Sequence, residues 1–352
     1  MYDIQLFTNR KQTGEMLFQI KDLSLTLYSH GKPARILNNI DLYIKESEVV
    51  GLIGETGSGK SLTALTALRL LPPSISASVE GEVFFEGRDL LQEDEDYLRT
   101  LRGSEICIIF QDPMSYLNPV LTVGRQLVDV ILAHNLLGES SRRFPLYKGD
   151  LRKKATAHAL QILKDVGIPR QEVILRSYPH ELSGGMGQRV LIGMALLCNP
   201  RLIIADEPTA SLDVTLQVQI LKLLKQMVQE RKTALLLISH DLGIIRSLCH
   251  RVYVMYAGEI VESGDIETVI QKPAHPYTQK LIKAIPGREL DKRLTGIEGT
   301  VCDFTEPPPG CRFEPRCSSR MLTCKLEKPI LIEFEPNHQV SCFLYENRNH
   351  LE

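Results

Sequence analysis

The sequence predicts an α/β protein with a mostly parallel, doubly wound sheet at its core and a small cysteine-rich extension at its C-terminal end. The runs 202–205 and 234–238 are short and wholly apolar, as is typical of strands that are buried on both faces. Between them, apolar residues recur at helical spacing from Leu216 to Met227, which predicts an amphipathic helix. After Pro286 the composition shifts to Pro, Cys and Arg, so we place the main domain boundary there.

Other segments complete this α/β pattern. Residues 18–20, 23–27 and 40–44 alternate apolar and polar side chains, which predicts half-exposed antiparallel strands. The triplet Gly31-Lys32-Pro33 predicts a turn between them, and 79–85 alternates in the same way. From about Leu121 to Arg176 charged, helix-forming residues dominate, which predicts a helical insertion.

A glycine-rich loop follows the apolar run 49–53 and precedes a helical pattern. It fits G-x-x-x-x-G-K-[ST], the phosphate-binding loop of nucleotide-binding proteins. The glycines let successive backbone N–H groups point at an anion, and the helix N-terminus adds positive charge there. Its residues are Gly54, Glu55, Thr56, Gly57, Ser58, Gly59, Lys60 and Ser61.

The end of this loop carries the side chains expected to contact ATP most directly. We expect Lys60 to reach the β- and γ-phosphates and Ser61 to bind Mg²⁺. No second serine follows at position 62, which is Leu62 and lies with Leu65 and Leu68 on the apolar side of the predicted helix. We therefore expect the set of ATP ligands in this loop to end at Ser61.

Two acids end the apolar run 202–205, and ligands of doubly wound sheets bind at that edge. Asp206 is the expected Mg²⁺ ligand, and Glu207 the expected base that orients the attacking water. Gln111 follows the apolar run 106–110 and His240 follows 234–238. We predict that Gln111 coordinates Mg²⁺ or positions water, and that His240 hydrogen-bonds the γ-phosphate.

A second anion-binding turn lies at 182–189. Ser183 is a good helix N-cap, and Gly184 and Gly185 expose the backbone at the helix start. One ATP molecule cannot easily use this turn and the phosphate loop of the same subunit. A head-to-tail pair of subunits can use both, with ATP held between them.

Composition excludes several classes of function. The chain has 352 residues, 41 Lys and Arg, 43 Asp and Glu, and a net charge of −2, so nothing predicts a nucleic-acid partner. No run of 18 apolar residues occurs, which argues against a membrane span. Residues 1–15 lack the apolar core of a signal peptide, and we expect an intracellular protein.

In combination, these motifs resemble those of the ATP-binding-cassette (ABC) ATPases. The resemblance covers roughly 18–286 and rests on the loop 54–61, Gln111, the signature 182–186 with Met186, the strand end 202–207, the D-loop 211–213 with Asp213, and His240. It implies a RecA-like parallel core, an antiparallel β lobe that stacks adenine, and a helical signature lobe. We predict a nucleotide-binding domain at 16–286, with its helical lobe at about 121–182, and an extension at 287–352.

Further segments are similar to the peptide and nickel importer branch of this family. They are 110–119, 183–189 and 275–278, and in that branch Met186 is usual whereas Gly187 departs from the more common Arg. For the aromatic residue that stacks on adenine, the resemblance implies one from the first strands. Tyr28 is the candidate, with Leu27 as the alternative for that position.

Five of the eight cysteines lie after Thr300, a cluster that in a reducing compartment favours metal over disulfides. Their segment is similar to the C-terminal segment of oligopeptide and dipeptide importer ATPases. That resemblance implies a [4Fe–4S] cluster held by Cys311, Cys317, Cys324 and Cys342, with zinc or free thiols as alternatives. A close C-x2–4-C pair, usual for structural zinc, is absent, and Cys302 has no assigned role.

The resemblance implies the ATP-hydrolysing motor of an importer at the cytoplasmic face of the membrane. Its partners would be a second cassette, identical or related, two membrane permease subunits bound through the segment 112–119, and indirectly a solute-binding protein. Di- or oligopeptides are the expected cargo, and nickel or a metal chelate is the alternative. A soluble cassette acting on nucleic acid or ribosomes is a distant alternative, since the chain has no heptad array or basic patch. A non-hydrolysing cassette is disfavoured by Glu207 and His240.

Overall fold

The computed structural model describes residues 16–29, 32–137, 148–210, 212–284 and 297–346. These residues form a four-stranded sheet and an eight-stranded sheet. The strands are β1 Met16–Ser29, β2 Lys32–Lys45, β3 Val49–Ile53, β4 Ala77–Phe85, β5 Arg88–Asp89, β6 Ile106–Ile109, β7 Leu202–Asp206, β8 Ala234–Ser239, β9 Arg251–Tyr256, β10 Glu259–Asp265, β11 Ile332–Glu335 and β12 His338–Val340.

The smaller sheet is antiparallel, with strand order β2-β1-β4-β5. The strands expected at 18–20 and 23–27 are parts of one long strand, β1, which pairs with β2 and β4 along its length. The expected turn at 31–33 is wrong in part, because Lys32 and Pro33 belong to β2 and Gly31 lies outside the described residues. Proline is tolerated there because β2 is an edge strand.

The larger sheet has the order β11-β12-β10-β9-β3-β8-β7-β6. Its strands from β9 to β6 are mutually parallel, whereas β10, β12 and β11 continue it in antiparallel pairing. Every residue of β3 and β8 is buried, as the apolar runs predicted. The parallel strands end at one common edge, which is where ligands bind in such sheets.

Helices cover the core sheet and form the helical lobe. They are α1 Lys60–Ala67, α2 Glu95–Leu101, α3 Pro113–Tyr116, α4 Val123–Ala133, α5 Lys148–Asp165, α6 Gln171–Arg176, α7 Gly184–Leu196, α8 Val214–Arg231, α9 Leu242–Leu248, α10 Ile266–Gln271, α11 Pro276–Lys283, α12 Thr323–Leu326 and α13 Phe343–Glu346. Helices α4, α5 and α6 pack on one another, and α5 packs on α7, so the helical insertion expected from about 121 is present. In the described parts of the chain, no helix is long and apolar enough to cross a bilayer.

The C-terminal segment 297–346 lies against the core. Its strand β12 pairs with β10, so that the core sheet continues into the extension. The expected boundary at Pro286 falls within 285–296, outside the described residues. Phe313 is 1% exposed, and its ring packs edge-on against Tyr256 of β9, with ring centroids 5.0 Å apart. The extension and the core therefore share buried apolar surface.

Candidate functional site

The phosphate-binding loop connects β3 to α1, as its motif requires. Gly57 and Gly59 adopt φ of 81° and 105°, left-handed values that favour glycine. Gly54 is fixed by close packing, since a Cβ there would come within 2.2 Å of the Met255 carbonyl oxygen. The Ser58 hydroxyl is buried and has no hydrogen-bond partner, which leaves it free to donate to a phosphate oxygen. These features fit an anion cradle at the start of α1.

Lys60 is buried at the base of this loop. Its Nζ donates to the carbonyl oxygens of Gly54 at 2.8 Å and Glu55 at 3.0 Å. Burial lowers the pKa of Lys60, an effect opposed by the carboxylates of Glu207, Asp206 and Glu55. The ammonium group is therefore held beside the cradle, surrounded by acids that favour its charged form.

Asp206 is the last residue of β7, and its carboxylate accepts a hydrogen bond from the Ser61 hydroxyl. Its Oδ1 is buried and has no partner. Burial raises the pKa of Asp206, and Glu207 adds to this, while Ser61 and Lys60 oppose it. A buried carboxylate oxygen without a partner, next to a serine hydroxyl, fits the oxygen ligand set that Mg²⁺ prefers.

The position after Ser61 adds no ligand to this set. Leu62 is half-buried and packs against the apolar core that the smaller sheet shares with α1. Leu62 therefore helps to anchor α1 on that core.

Glu207 and His240 are brought together by the parallel pairing of β7 with β8. The Asp206–Ile238 register pair places the residues after both strands side by side. His240 Nδ1 lies 3.1 Å from Glu207 Oε1, and the Glu207 side chain is 16% exposed against 56% for His240. Glu207 has φ 45°, a strained value for a non-glycine residue that is often found at functional sites, and its N–H donates to the Ile238 carbonyl at 2.9 Å.

Gln111 and Tyr28 lie on different parts of the molecule. Gln111 is exposed and comes two residues after β6, whose last residue, Ile109, pairs with Ala205 of β7. It therefore leaves the sheet at the same edge as Asp206. Tyr28 lies on β1 in the smaller sheet and is 46% exposed. A side chain of that exposure has free ring surface on which a base could stack.

The signature turn is an exposed helix start, as the sequence indicates. Ser183 is the N-cap of α7, and its hydroxyl accepts from the Met186 N–H at 3.4 Å. Ser183 and Gly184 are exposed, and Gly185 is buried under Leu216. Asp213 caps α8 in the same way, through the N–H groups of Thr215 and Leu216, while Ser211 of the D-loop lies outside the described residues.

The four cysteines implied as cluster ligands line one small, mostly apolar cavity together with His275. All are free thiols. Burial raises the pKa of Cys311 to about 12 and of Cys342 to about 11, so without metal these thiols stay protonated at neutral pH. Within the described ranges, no group of three or more His, Cys, Asp or Glu side chains is arranged to hold a metal ion. The structure thus places the four cysteines around one cavity, but it supports neither the iron–sulfur cluster nor the zinc site.

Sequence reasoning missed two side chains that hold the phosphate loop from outside. The Tyr277 hydroxyl accepts the Glu55 N–H at 2.9 Å, and the Arg316 guanidinium makes two hydrogen bonds to the Glu55 carboxylate, at 2.9 and 3.2 Å. Tyr277 belongs to the segment 275–278 and Arg316 precedes Cys317. Both residues therefore belong to segments that the sequence analysis identified, but no local sequence pattern links either one to the phosphate-binding loop.

Comparison with known proteins agrees with this geometry. Residues 37–210 match the ABC transporter family, and residues 261–324 match the oligopeptide/dipeptide transporter C-terminal region. The chain is 41% identical over 332 residues to an oligopeptide transport ATP-binding protein of Bacillus subtilis, covering 94% of this chain and 97% of the relative. It is 40% identical over 329 residues to a dipeptide transport ATP-binding protein of Escherichia coli, covering 93% and 96%.

Among solved structures, the fold is similar to a dimeric ATP-binding cassette in a post-hydrolysis state, bound to ADP and Pi. The TM-score is 0.59 at 28% identity, over 71% of this chain and 98% of the other. The rest of this chain has no counterpart in that structure. The match of residues 261–324 to the transporter C-terminal region includes part of the extension. The chain therefore belongs to the ABC transporter family, as an ATP-hydrolysing subunit with an α/β cassette fold.

Proposed function

We propose that this chain is the motor subunit of an importer of di- or oligopeptides. The observation that carries the cargo assignment is similarity along almost the whole chain, since relatives matched over 93–95% of it are named for oligopeptide or dipeptide transport. The match of residues 261–324 to the C-terminal region of such transporters supports the same cargo.

The proposed catalytic residues lie at the edge of the core sheet where the parallel strands end. The loop 54–61 binds the phosphates, with Lys60 on the β- and γ-phosphates. Ser61, Asp206 and Gln111 hold Mg²⁺, which neutralises charge on the phosphate oxygens when bound. Glu207 orients water and accepts its proton as the oxygen attacks the γ-phosphorus, and His240, 3.1 Å from Glu207, hydrogen-bonds the γ-phosphate.

The ATP site is completed by the signature turn of a second cassette, identical or related. The exposed Ser183 and the helix start behind it form an anion site suited to a nucleotide presented from another subunit. In the assembled transporter, Ser183→Arg or Gly185→Asp should lower ATPase activity about a hundredfold while ATP still binds. Glu172→Arg, an exposed site on the same lobe, is the control, and full activity in the signature variants would exclude the shared site.

The cargo is tested by uptake in cells that lack the chromosomal copy of this subunit. The wild-type chain should restore uptake of a labelled dipeptide and tripeptide, and Glu207→Gln should not. Restoration of labelled nickel uptake without peptide uptake would replace the peptide assignment by the metal-importer alternative.

At the membrane, two permease subunits would bind the segment 112–119, and a solute-binding protein would act through them. Met114 and Tyr116 in this segment are 37% and 54% exposed, and the neighbouring Val120 is 76% exposed. Apolar side chains exposed together favour a protein contact. We place the chain at the cytoplasmic face, bound there through these partners, and disulfide cross-linking from Val120→Cys to permease cysteines would test the contact.

The cysteine cavity is proposed as an iron–sulfur site. Four cysteines line one small apolar cavity, and a [4Fe–4S] cluster takes four thiolates, so this proposal rests on the number and type of the donors. The chain purified without oxygen should contain iron and sulfide, and Cys342→Ser should lose them while Cys302→Ser, outside the cavity lining, should retain them. Colourless wild-type protein without iron would exclude the cluster.

A further inference from the structure

Arg316 lies in the cysteine-rich extension, yet it makes an ion pair with the phosphate-binding loop. Its Nη1 is 2.9 Å from Glu55 Oε2 and its Nη2 is 3.2 Å from Glu55 Oε1. Two parallel bonds of this kind give a planar, directional pairing that lysine cannot reproduce. The Arg316 side chain is 6% exposed and that of Glu55 24%, so solvent screens the pair only in part.

The guanidinium is held in place by further bonds within the molecule. It donates to the carbonyl oxygens of Glu298 and Ile297, each at 2.9 Å, and to the Tyr256 hydroxyl at 3.3 Å. The Arg316 carbonyl in turn accepts from Lys280 Nζ at 2.6 Å. These bonds fix the Arg316 side chain in the absence of nucleotide. Arg316 therefore orients the Glu55 carboxylate.

The Glu55 carboxylate is negatively charged, so it repels the polyphosphate anion that the loop binds. Its backbone is also part of the cradle, since its carbonyl oxygen accepts from Lys60 Nζ at 3.0 Å and from the Ser58 N–H at 3.1 Å. A cation paired with this carboxylate removes the repulsion and draws the side chain away from the loop interior. Arg316 is the cation in that position.

We propose that Arg316 is a positioning residue for ATP binding: it neutralises and fixes Glu55, so that the affinity of the phosphate loop depends on the docked cysteine-rich extension. The next residue, Cys317, lines the cysteine cavity, so one short segment both lines that cavity and contacts the phosphate loop. The extension is in this sense a part of the ATP site, whatever the cavity binds and whatever cargo the transporter carries.

The test is the dissociation constant of ATP with Mg²⁺, measured on the full chain by equilibrium dialysis. Arg316→Gln should raise the dissociation constant about tenfold, because it leaves the partly buried Glu55 carboxylate without its cation. Arg316→Lys, which keeps the cation, should raise it less. Arg320→Gln is the matched control, because Arg320 is an exposed arginine of the same extension, and it should leave the constant unchanged.

A second variant separates the electrostatic role from a loss of local structure. In the double variant Glu55→Gln/Arg316→Gln the unpaired anion is gone, so the dissociation constant should return to within about threefold of the wild type. In the assembled transporter, KM for ATP should follow the same order, with kcat less affected. If Arg316→Gln binds ATP like the wild type, or the double variant binds no better than Arg316→Gln, the proposal is wrong, and neither result bears on the peptide assignment.

Discussion

The edge of the core sheet and the cysteine-rich extension assemble their side chains in different ways. At the sheet edge, each motif begins within two residues of a strand end. The parallel pairing of β3 with β8, β8 with β7 and β7 with β6 brings those ends together. In the extension, the cavity cysteines are separated by turns, α12 and the short strands β11 and β12. The first arrangement follows from regular topology. The second depends on irregular backbone that packs on the core through a few buried side chains.

The largest effect expected from this comparison is the loss of the base at the sheet edge. Glu207→Gln keeps the shape of the side chain but cannot accept a proton, so kcat for ATP hydrolysis in the assembled transporter should fall about a thousandfold with the binding of ATP retained. Glu230→Gln, at the far end of α8, should hydrolyse ATP at the wild-type rate. Hydrolysis by Glu207→Gln within tenfold of the wild type would remove the proposed role of this carboxylate.

A smaller effect is expected from the contact that holds the extension. Phe313 packs against Tyr256, Tyr277 and His275, so Phe313→Ala should lower the free energy of unfolding by about 3 kcal/mol through the cavity it leaves. Denaturant unfolding of the full chain measures this. Leu322, also in the extension, is 83% exposed, and Leu322→Ala should change stability by less than about 0.5 kcal/mol. Equal effects of the two substitutions would mean that the extension is not anchored through Phe313.

The smallest effect is a dependence on pH at the same contact. Burial lowers the pKa of His275 to about 3, and its Nδ1 accepts from the Tyr277 N–H at 3.0 Å. The pKa of His275 in the folded chain lies below 6.5, the value expected in the unfolded chain. The neutral side chain therefore contributes its full stabilisation of the fold above pH 6.5, and this contribution is lost as the pH falls toward 3. At pH 5.5 the free energy of unfolding should be lower by about 1.4 kcal/mol than above pH 6.5.

The matched variant for this prediction is His275→Asn, which still supplies a helix-capping side chain but does not titrate. Thermal unfolding between pH 8 and pH 5 should show a steeper loss of stability in the wild type than in the variant. Parallel curves would mean that the pKa of His275 is the same in the folded and the unfolded chain, and the prediction would be wrong.

Much of the sheet edge could be predicted from the sequence because its signals are local. Ser183 caps α7 where its residue type predicts a helix start, and the apolar runs at β3, β7 and β8 are strands. The early strands were less predictable. The alternation at 18–27 predicts extended structure but not that β1 continues through residues 21 and 22. The turn expected at 31–33 includes Lys32 and Pro33, which begin β2.

By itself, the sequence determined the chemistry of the ATP site: a loop that binds phosphate, two acids at a strand end, and an exposed helix start. Tertiary structure decided what surrounds that chemistry. Glu55 and Arg316 are 261 positions apart, and the four cavity cysteines meet across turns that no periodicity describes. The physical reason is that strand and helix signals arise from neighbouring residues, whereas an ion pair between distant segments exists only after both segments have packed on the same core.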